Sequence, residues 1–172
     1  EQMKNRPIKS LVDAWKQLGV KIIYKGKNGF PPIEIHGGTI LKNKVKVNAN
    51  ESSQFVSSLL LVAPFLKNSL EISISKNVVS QSYISMTLEM LKSFGVNFTK
   101  KKDKIIISNG IKLPKSFAVE PDWSSAAFLY EILSLSNQNK IAANKLSLHS
   151  IQGDKLISEL MNKVGIATTG RN

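Results

Sequence analysis

The stretch that decides the fold is PIKSLVDAWKQLGV, residues 7–20. Its apolar side chains recur at helical spacing, a proline stands at the favoured first position, and a glycine follows the end. The same pattern returns at residues 83–96 and, more loosely, at residues 154–166, so that the terminating glycines lie 76 and 70 residues apart. An internal repeat of this length predicts a fold built from similar supersecondary units.

A second kind of helix alternates with the first. Residues 52–63 are apolar on most faces and predict a buried helix, and residues 124–133 repeat them 72 positions later. Several short runs between the helices are typical of strands, some with period two: residues 20–24, 33–36, 44–47, 70–74, 104–107 and 145–148. The sequence therefore predicts an α/β fold with a repeated unit of strand, helix, strand, helix, strand and strand.

The composition excludes several classes of site. The chain has 172 residues, 42% of them apolar, which is enough for a real core. It has no cysteine, which excludes disulfides, thiol nucleophiles and Cys-ligated zinc, and His36 and His149 are too far apart in sequence to indicate a metal site. The longest apolar run, residues 59–66, is far shorter than the ~20 residues of a membrane span. Because the chain opens with Glu1, we expect it to be part of a longer protein.

The net charge of +12 comes almost entirely from lysine, since 22 of the 24 basic residues are Lys. Residues 100–104 predict a solvated hairpin turn, and Lys42, Lys44 and Lys46 alternate along the outer face of a predicted strand. Surfaces that bind nucleic acid usually combine basic residues with arginine and aromatic side chains, a pattern that is absent here. We therefore expect a solvated basic surface and no nucleic-acid partner.

The first candidate anion site is Ser52-Ser53-Gln54, where a strand leads into the buried helix. Free backbone N–H groups and the positive end of the helix dipole favour an anion there, and two hydroxyls and an amide add donors for phosphate or sugar oxygens. Helix capping is the competing interpretation, but a cap requires only one hydroxyl.

Ser80 and Tyr83 form a second candidate, because they enter a glycine-terminated helix from the next strand. Ser80 would present its hydroxyl to a phosphate and Tyr83 would stack on, or bond to, a ring; the alternative is again a cap with a packed aromatic. Arg6 is the third candidate, since it is the only arginine before Arg171 and its planar fork suits carboxylate and phosphate groups. A chance surface position is the alternative for Arg6.

Four motifs, in order and spacing, resemble the EPSP synthases, the 3-phosphoshikimate 1-carboxyvinyltransferases of the shikimate pathway. They are MKNRPI at 3–8, SSQF at 52–55, VSQSYI at 79–84 and EPDWSSA at 120–126. The resemblance implies two similar domains built from βαβαββ units, with the active site in the cleft between them (an inside-out α/β barrel). It places residues 1–119 in one domain, with about one and a half units, and residues 120–172 in the crossover and start of a unit of the other domain.

The same resemblance implies transfer of the enolpyruvyl group of phosphoenolpyruvate to the 5-hydroxyl of shikimate 3-phosphate, with no metal or organic cofactor. Shikimate 3-phosphate would be bound by Ser52, Ser53, Gln54, Ser80 and Tyr83, and phosphoenolpyruvate by Arg6 and Gln54. The parent enzyme is expected to be cytoplasmic and monomeric. The acid and base groups are expected after Asn172, so that the fragment alone would be inactive and holds no catalytic residue.

The sequence departs from many members of the family at two places. Gln81-Ser82 stands where they have Lys-Pro, which removes a local cation, and Asp122-Trp123 stands where they have Asp-Ala. Three alternatives remain open. UDP-N-acetylglucosamine enolpyruvyl transferase would share the repeat without the SSQF motif; an RNA 3′-phosphate cyclase-like enzyme would use the positive charge but needs a histidine nucleophile; and a non-catalytic interaction module would lack the flanking motifs.

Overall fold

The computed structural model describes residues 1–50, 52–75, 78, 80–138 and 140–169. Two compact units divide the chain, Glu1–Leu113 and Pro114–Asn172, and each is described by itself. The division falls six residues before Glu120, where the sequence places the change of domain. The assignment of residues 120–172 to another domain stays a prediction.

As far as β6, the described elements follow the order that the repeat predicts. The helices and strands are α1 (Lys9–Gln17), β1 (Lys21–Tyr24), β2 (Ile33–His36), β3 (Lys44–Val47), α2 (Gln54–Val62), β4 (Leu70–Ile74), α3 (Gln81–Ser93), β5 (Phe98–Lys100), β6 (Lys104–Ile107), α4 (Trp123–Leu135) and α5 (Leu156–Lys163). Short 3₁₀ turns precede α1, follow α2 and precede α5.

The run from β3 to β6 is one complete βαβαββ unit. Its four strands lie in the order β3-β4-β6-β5; β3 and β4 are parallel, and β6 is antiparallel to both of its neighbours. The preceding α1, β1 and β2 correspond to the second half of such a unit, with β1 and β2 paired antiparallel. The predicted α/β fold with βαβαββ units is therefore confirmed.

The three glycine-terminated helices end in the same way. Gly19, Gly95 and Gly165 have φ values of +99°, +75° and +91°, the left-handed conformation that favours glycine. In each case the glycine N–H and the N–H of the next, apolar residue donate to carbonyls in the last helical turn, as in Val20 N to Trp15 O at 3.1 Å and Val96 N to Leu91 O at 3.1 Å. This is the Schellman motif, which satisfies carbonyls that a helix end leaves without partners.

The core of the first unit lies between one face of the four-stranded sheet and the helices α2 and α3. Alternate residues of each strand point into it, such as Val45 and Val47 of β3 and Ile105 and Ile107 of β6. The helices contribute buried side chains at helical spacing: Val56, Leu59 and Leu60 from α2, and Ile84, Leu88 and Leu91 from α3. Burial of these side chains fixes which face of each helix meets the sheet.

The opposite face of this sheet is solvated and basic, as predicted. Lys44 and Lys46 are exposed, and the turn between β5 and β6 is closed by Lys101 N donating to Lys104 O at 2.7 Å. Lys104 and Glu71 form a cross-strand ion pair at 2.9 Å. The hydrogen bond from Lys104 lowers the pKa of Glu71, which keeps that carboxylate charged among the lysines.

Helix α1 covers the outer edge of β3. The Gln17 side chain donates to Lys46 O at 3.0 Å and accepts from Lys46 N at 2.9 Å. Both backbone groups of Lys46 are thereby satisfied by one amide, at the edge where another strand would otherwise pair.

The second unit is organised around Trp123, which is only 1% exposed. Its backbone N–H donates to Gln152 Oε1 at 2.9 Å, and its indole N–H donates to Ser147 O at 3.0 Å. Asp122 caps α4 by accepting from Ser124 N at 3.0 Å. These contacts give the sequence departure at Trp123 a structural role, since the indole joins the start of α4 to the loop that precedes α5.

The strand predicted at residues 145–148 is wrong. Lys145 has a left-handed φ of +62°, and Leu148 lies in a turn, so the backbone is not extended there. Alternating apolar residues form a strand only where a neighbouring strand supplies hydrogen bonds, and the described part of residues 114–172 contains no strand.

Helices α4 and α5 present apolar side chains to solvent within this unit. Phe128 and Ile132 of α4 are exposed, and Leu156 and Leu160 of α5 are 54% and 56% exposed. Helix α4 is therefore less buried than α2, its counterpart in the sequence repeat. Over the described residues, no helix combines the length and the apolarity that crossing a bilayer requires.

Candidate functional site

The candidate residues lie where parallel strands end and helices begin. Because β3 and β4 are parallel, the loops that lead from β3 to α2 and from β4 to α3 leave the sheet at the same edge. Both helices therefore present their N-terminal N–H groups and the positive ends of their dipoles at that edge. Open α/β sheets bind ligands at the carboxyl ends of their strands for this reason.

The loop between β3 and α2 is held by hydroxyl and amide side chains. Ser75, which follows β4, accepts from Ala49 N at 3.0 Å and donates to Asn50 Oδ1 at 2.9 Å, and Asn50 N donates to Asn48 Oδ1 at 3.1 Å. The backbone N–H of Ser75 also donates to Val47 O at 3.1 Å. These bonds tie the two neighbouring strand ends together just before Ser52. Sequence reasoning missed Ser75, whose partners lie about 25 residues away along the chain.

Ser52, Ser53 and Gln54 are brought together at the start of α2. The Ser52 hydroxyl accepts from Gln54 N at 3.1 Å, which satisfies one free N–H of the helix end. Ser53 is 4% exposed and makes no side-chain capping bond, and Gln54 is exposed. Capping therefore accounts for Ser52 and leaves Ser53 and Gln54 without that explanation.

Ser80 stands at the start of α3 in a left-handed conformation, with φ 56° and ψ 52°. A serine in this region costs on the order of 1 kcal/mol, and residues held in such conformations cluster at ligand sites. Its hydroxyl makes no capping bond to α3, and Tyr83, in the first turn, is 50% exposed. The capping hydrogen bond is therefore absent at Ser80, and half of the Tyr83 side chain is open to contact. The neighbouring Asn77 and Val79 lie outside the described residues.

The first turn of α3 carries no cation in this chain. Gln81 and Ser82 are both exposed at its start, where the motif of many family members has Lys-Pro. Any positive charge that acts on an anion at this helix end comes from elsewhere in the protein. The local groups that can hold an anion there are the hydroxyl and N–H donors.

Arg6 is exposed and precedes α1, after a 3₁₀ turn in which Arg6 N donates to Met3 O at 3.2 Å. An open groove separates Lys9 and Asp13 of α1 from Asn50 and Ser75. The N-terminal half of α1 thus lies beside the loop that holds Ser52. Within the described residues no hydrogen bond or ion pair joins Arg6 to the other candidates. The structure therefore groups the serines, Gln54 and Tyr83 at the starts of α2 and α3 and places Arg6 in the segment that leads into α1.

The described residues do not gather a set of metal ligands. Among the described residues no three His, Cys, Asp or Glu side chains are close enough to hold a metal ion. The candidates offer helix N-termini, hydroxyls, an amide, a phenol and a guanidinium, each of which can donate hydrogen bonds to phosphate, carboxylate or hydroxyl oxygens.

The fold and this edge define a class: a βαβαββ-repeat protein in which helix N-termini meet at one edge of the sheet. A family model described as EPSP synthase (3-phosphoshikimate 1-carboxyvinyltransferase) matches residues 1–172. The chain belongs to the EPSP synthase family, as its motifs indicate.

Two curated relatives illustrate the match. The 3-phosphoshikimate 1-carboxyvinyltransferase of Bacteroides fragilis (strain YCH46) is 39% identical over 171 residues, which are 98% of this chain and 41% of that protein. The protein of the same name from Histophilus somni (strain 2336) is 36% identical over 98% of this chain and 39% of its own length. The chain therefore spans about two fifths of these relatives.

The structure is similar to that of EPSP synthase from Acinetobacter baumannii, with a TM-score of 0.58 and 25% sequence identity. The likeness covers 74% of this chain and 28% of that chain. It agrees with the βαβαββ architecture, of which residues 1–172 form an incomplete part.

Proposed function

We propose that the protein containing this chain transfers the enolpyruvyl group of phosphoenolpyruvate to the 5-hydroxyl of shikimate 3-phosphate and releases phosphate. The proposal rests on two facts taken together. The family model matches all 172 residues, and the candidate binding residues at the starts of α2 and α3 lie at one edge of the sheet. The names of the relatives favour this reaction over the UDP-N-acetylglucosamine enolpyruvyl transferase and the RNA 3′-phosphate cyclase-like enzyme.

In this proposal the chain binds and orients the two anionic substrates. Ser52, Ser53 and Ser80 hold the phosphate or nearby oxygens of shikimate 3-phosphate, and Tyr83 lines its ring. Gln54 reaches both substrates. Their N–H and O–H donors stabilise the charge without reacting covalently, since the chemistry needs a fixed set of donors around two polyanions.

Arg6 is proposed to bind phosphoenolpyruvate, because a guanidinium bonds carboxylate and phosphate oxygens in pairs. The shikimate 5-hydroxyl loses its proton as its oxygen bonds to the central carbon of the enol, and the methylene carbon takes up a proton to become a methyl group. Loss of a proton from that methyl group, with cleavage of the C–O bond to phosphate, then restores the double bond and releases phosphate. The proton-transfer groups are expected in the part of the longer relatives that this chain does not span, and no metal or cofactor is required.

We also propose that the whole protein is a monomeric cytoplasmic enzyme without a nucleic-acid partner. The lysine-coated outer sheet face supports the absence of a nucleic-acid partner, since it lacks the arginine and aromatic side chains of a nucleic-acid surface. Its broad positive field would favour the approach of small anions.

Calorimetry and phosphate release test the function on the product of the complete open reading frame that encodes this chain. Shikimate 3-phosphate is expected to bind, and phosphate to be released only when both substrates are present. Arg6→Ala is expected to raise KM for phosphoenolpyruvate about tenfold or more, the loss of one charge-assisted contact, with little change for shikimate 3-phosphate. Lys4→Ala, which removes an exposed cation two residues earlier, is the matched control and should leave both KM values unchanged.

Absence of shikimate 3-phosphate binding to that protein would refute the proposal. Turnover by residues 1–172 alone would contradict the placement of the proton-transfer groups outside the chain.

A further inference from the structure

Two hydroxyl side chains join α2 to α3 across an otherwise apolar interface. The Ser57 and Thr87 hydroxyl oxygens lie 3.2 Å apart, and Thr87 also donates to Tyr83 O at 2.8 Å. A hydroxyl carries a single hydrogen. When Thr87 donates to Tyr83 O, the Ser57 hydroxyl supplies the hydrogen of the contact between the helices.

Each hydroxyl residue lies one helical turn after a proposed substrate-binding residue, Ser57 after Ser53 and Thr87 after Tyr83. Ser57 N donates to Ser53 O at 3.0 Å, and the Thr87 hydroxyl donates to Tyr83 O. Each hydroxyl residue is therefore hydrogen-bonded to the proposed substrate-binding residue one turn before it. A continuous path of hydrogen bonds therefore runs from Ser53 through Ser57 and Thr87 to Tyr83.

The neighbouring contacts do not supply this connection. Val56, Leu59 and Leu60 of α2 and Ile84, Leu88 and Leu91 of α3 are buried and apolar. Apolar burial fixes which face of each helix meets the sheet, but because it is non-directional it does not fix the height of one helix relative to the other. A hydrogen bond between two short side chains requires one distance and one angle, so it does set that height. The bond from the Thr87 hydroxyl to Tyr83 O adds no stability to α3 itself, because a threonine bond to the carbonyl four residues back does not stabilise its own helix. Its presence therefore indicates a role outside the stability of that helix.

We propose that Ser57 and Thr87 are positioning residues that fix the spacing between Ser53 and Tyr83, and so set the affinity for shikimate 3-phosphate. The inference rests on the proposed function, since it concerns how the same edge is held in shape. Neither residue touches a substrate in this proposal, and both act through the turns to which they are bonded.

The test measures steady-state kinetics and thermal unfolding on the product of the complete open reading frame. Thr87→Val keeps the shape of the side chain and removes the hydroxyl, Ser57→Ala removes the other hydroxyl, and Thr87→Ser restores the hydroxyl without the methyl group. Ser58→Ala is the matched control, because the Ser58 hydroxyl donates to Phe55 O at 3.0 Å within its own helix.

Thr87→Val and Ser57→Ala are each expected to raise KM for shikimate 3-phosphate about three- to tenfold, the effect of losing the hydrogen bond between the helices. KM for phosphoenolpyruvate should stay within about twofold, because Arg6 precedes α1 and lies on neither helix. The double variant should be no worse than Thr87→Val by more than about twofold, since both substitutions break the same contact between α2 and α3. Thr87→Ser should restore the wild-type value, and Ser58→Ala should resemble the wild type.

Three results would overturn the inference: an unchanged KM for shikimate 3-phosphate in Thr87→Val, an equal rise in both KM values, or an effect of Ser58→Ala as large as that of Ser57→Ala. If the unaltered protein binds shikimate 3-phosphate and Thr87→Val behaves normally, the positioning role alone fails. If the unaltered protein does not bind it, the proposed function fails and the positioning role fails with it.

Discussion

Replacement of Trp123 by phenylalanine perturbs the centre of the second unit in a defined way. The indole is 1% exposed, so its substitution removes a partly buried hydrogen bond of 3.0 Å to Ser147 O and leaves space where the pyrrole ring stood. Ser147 O keeps the hydrogen bond from Ser150 N at 3.2 Å, so the lost bond costs about 0.5–1.5 kcal/mol, and the residual cavity adds about 1 kcal/mol. We expect the unit to lose about 1.5–2.5 kcal/mol of stability, whereas Trp123→Ala should lose about 3–5 kcal/mol.

Hydrogen exchange followed by mass spectrometry measures this loss where it occurs. A destabilisation of 2 kcal/mol speeds exchange of amides that open with the unit by about 30-fold. The increase should appear in peptides from α4 and from the loop near Ser147, and it should be absent from β3 and α2 in the first unit. Trp15 remains as a fluorescent reporter of that first unit.

Phe128→Leu on the same helix is the control, because Phe128 is exposed and its replacement should stay within about 0.5 kcal/mol. If Trp123→Phe left exchange in α4 within about twofold of the wild type, the indole bond to Ser147 would not organise the unit. A faster exchange confined to the first unit would also refute the reasoning.

Three further predictions concern single features of the 172-residue polypeptide. Gly95→Ala forces a side chain into φ +75° and should cost about 1–2 kcal/mol by chemical denaturation, whereas Gly38→Ala, with open space around it, should not. Hydrogen bonds from the Ser125 hydroxyl, and then from Ser124 N, lower the pKa of Asp122. The Asp122 carboxylate therefore contributes to stability above about pH 4, and this contribution is lost as the pH falls through the lowered pKa. Asp122→Asn should make the loss of stability at acid pH smaller, as measured by unfolding at a series of pH values. Leu156→Lys with Leu160→Lys should reduce binding of the dye ANS, which reports exposed apolar surface; unchanged fluorescence would show that this helix face is already covered.

The helices were predictable because their signals are local. Gly19, Gly95 and Gly165 each end a helix with the same backbone bonds, and the apolar spacing before them needs no distant partner. The strands were less certain for the opposite reason, since a strand exists only through its neighbour. Residues 145–148 have the alternating pattern without a partner, whereas Phe98–Lys100 has little pattern but pairs with β6.

Some residues of the candidate site could likewise be predicted from the local sequence, and others depend on distant partners. The positions of Ser53 and Ser80 at strand-to-helix junctions follow from the order of elements, which the sequence shows. Ser75 and the contact between Ser57 and Thr87 depend on which elements become neighbours, over separations of 25 to 30 residues. The left-handed backbone of Ser80 was also hidden, because serine carries no sign of that conformation.

The contact between Gln17 and Lys46 has a consequence beyond the packing of α1. One glutamine amide imitates the peptide group of an absent neighbouring strand, and so β3 ends the sheet without offering its centre to another molecule. The alternating Lys-Val-Lys-Val sequence of β3 would otherwise be a short template for intermolecular pairing. A single side chain, 29 residues away in the sequence, thus prevents a strand of another molecule from pairing with the centre of β3.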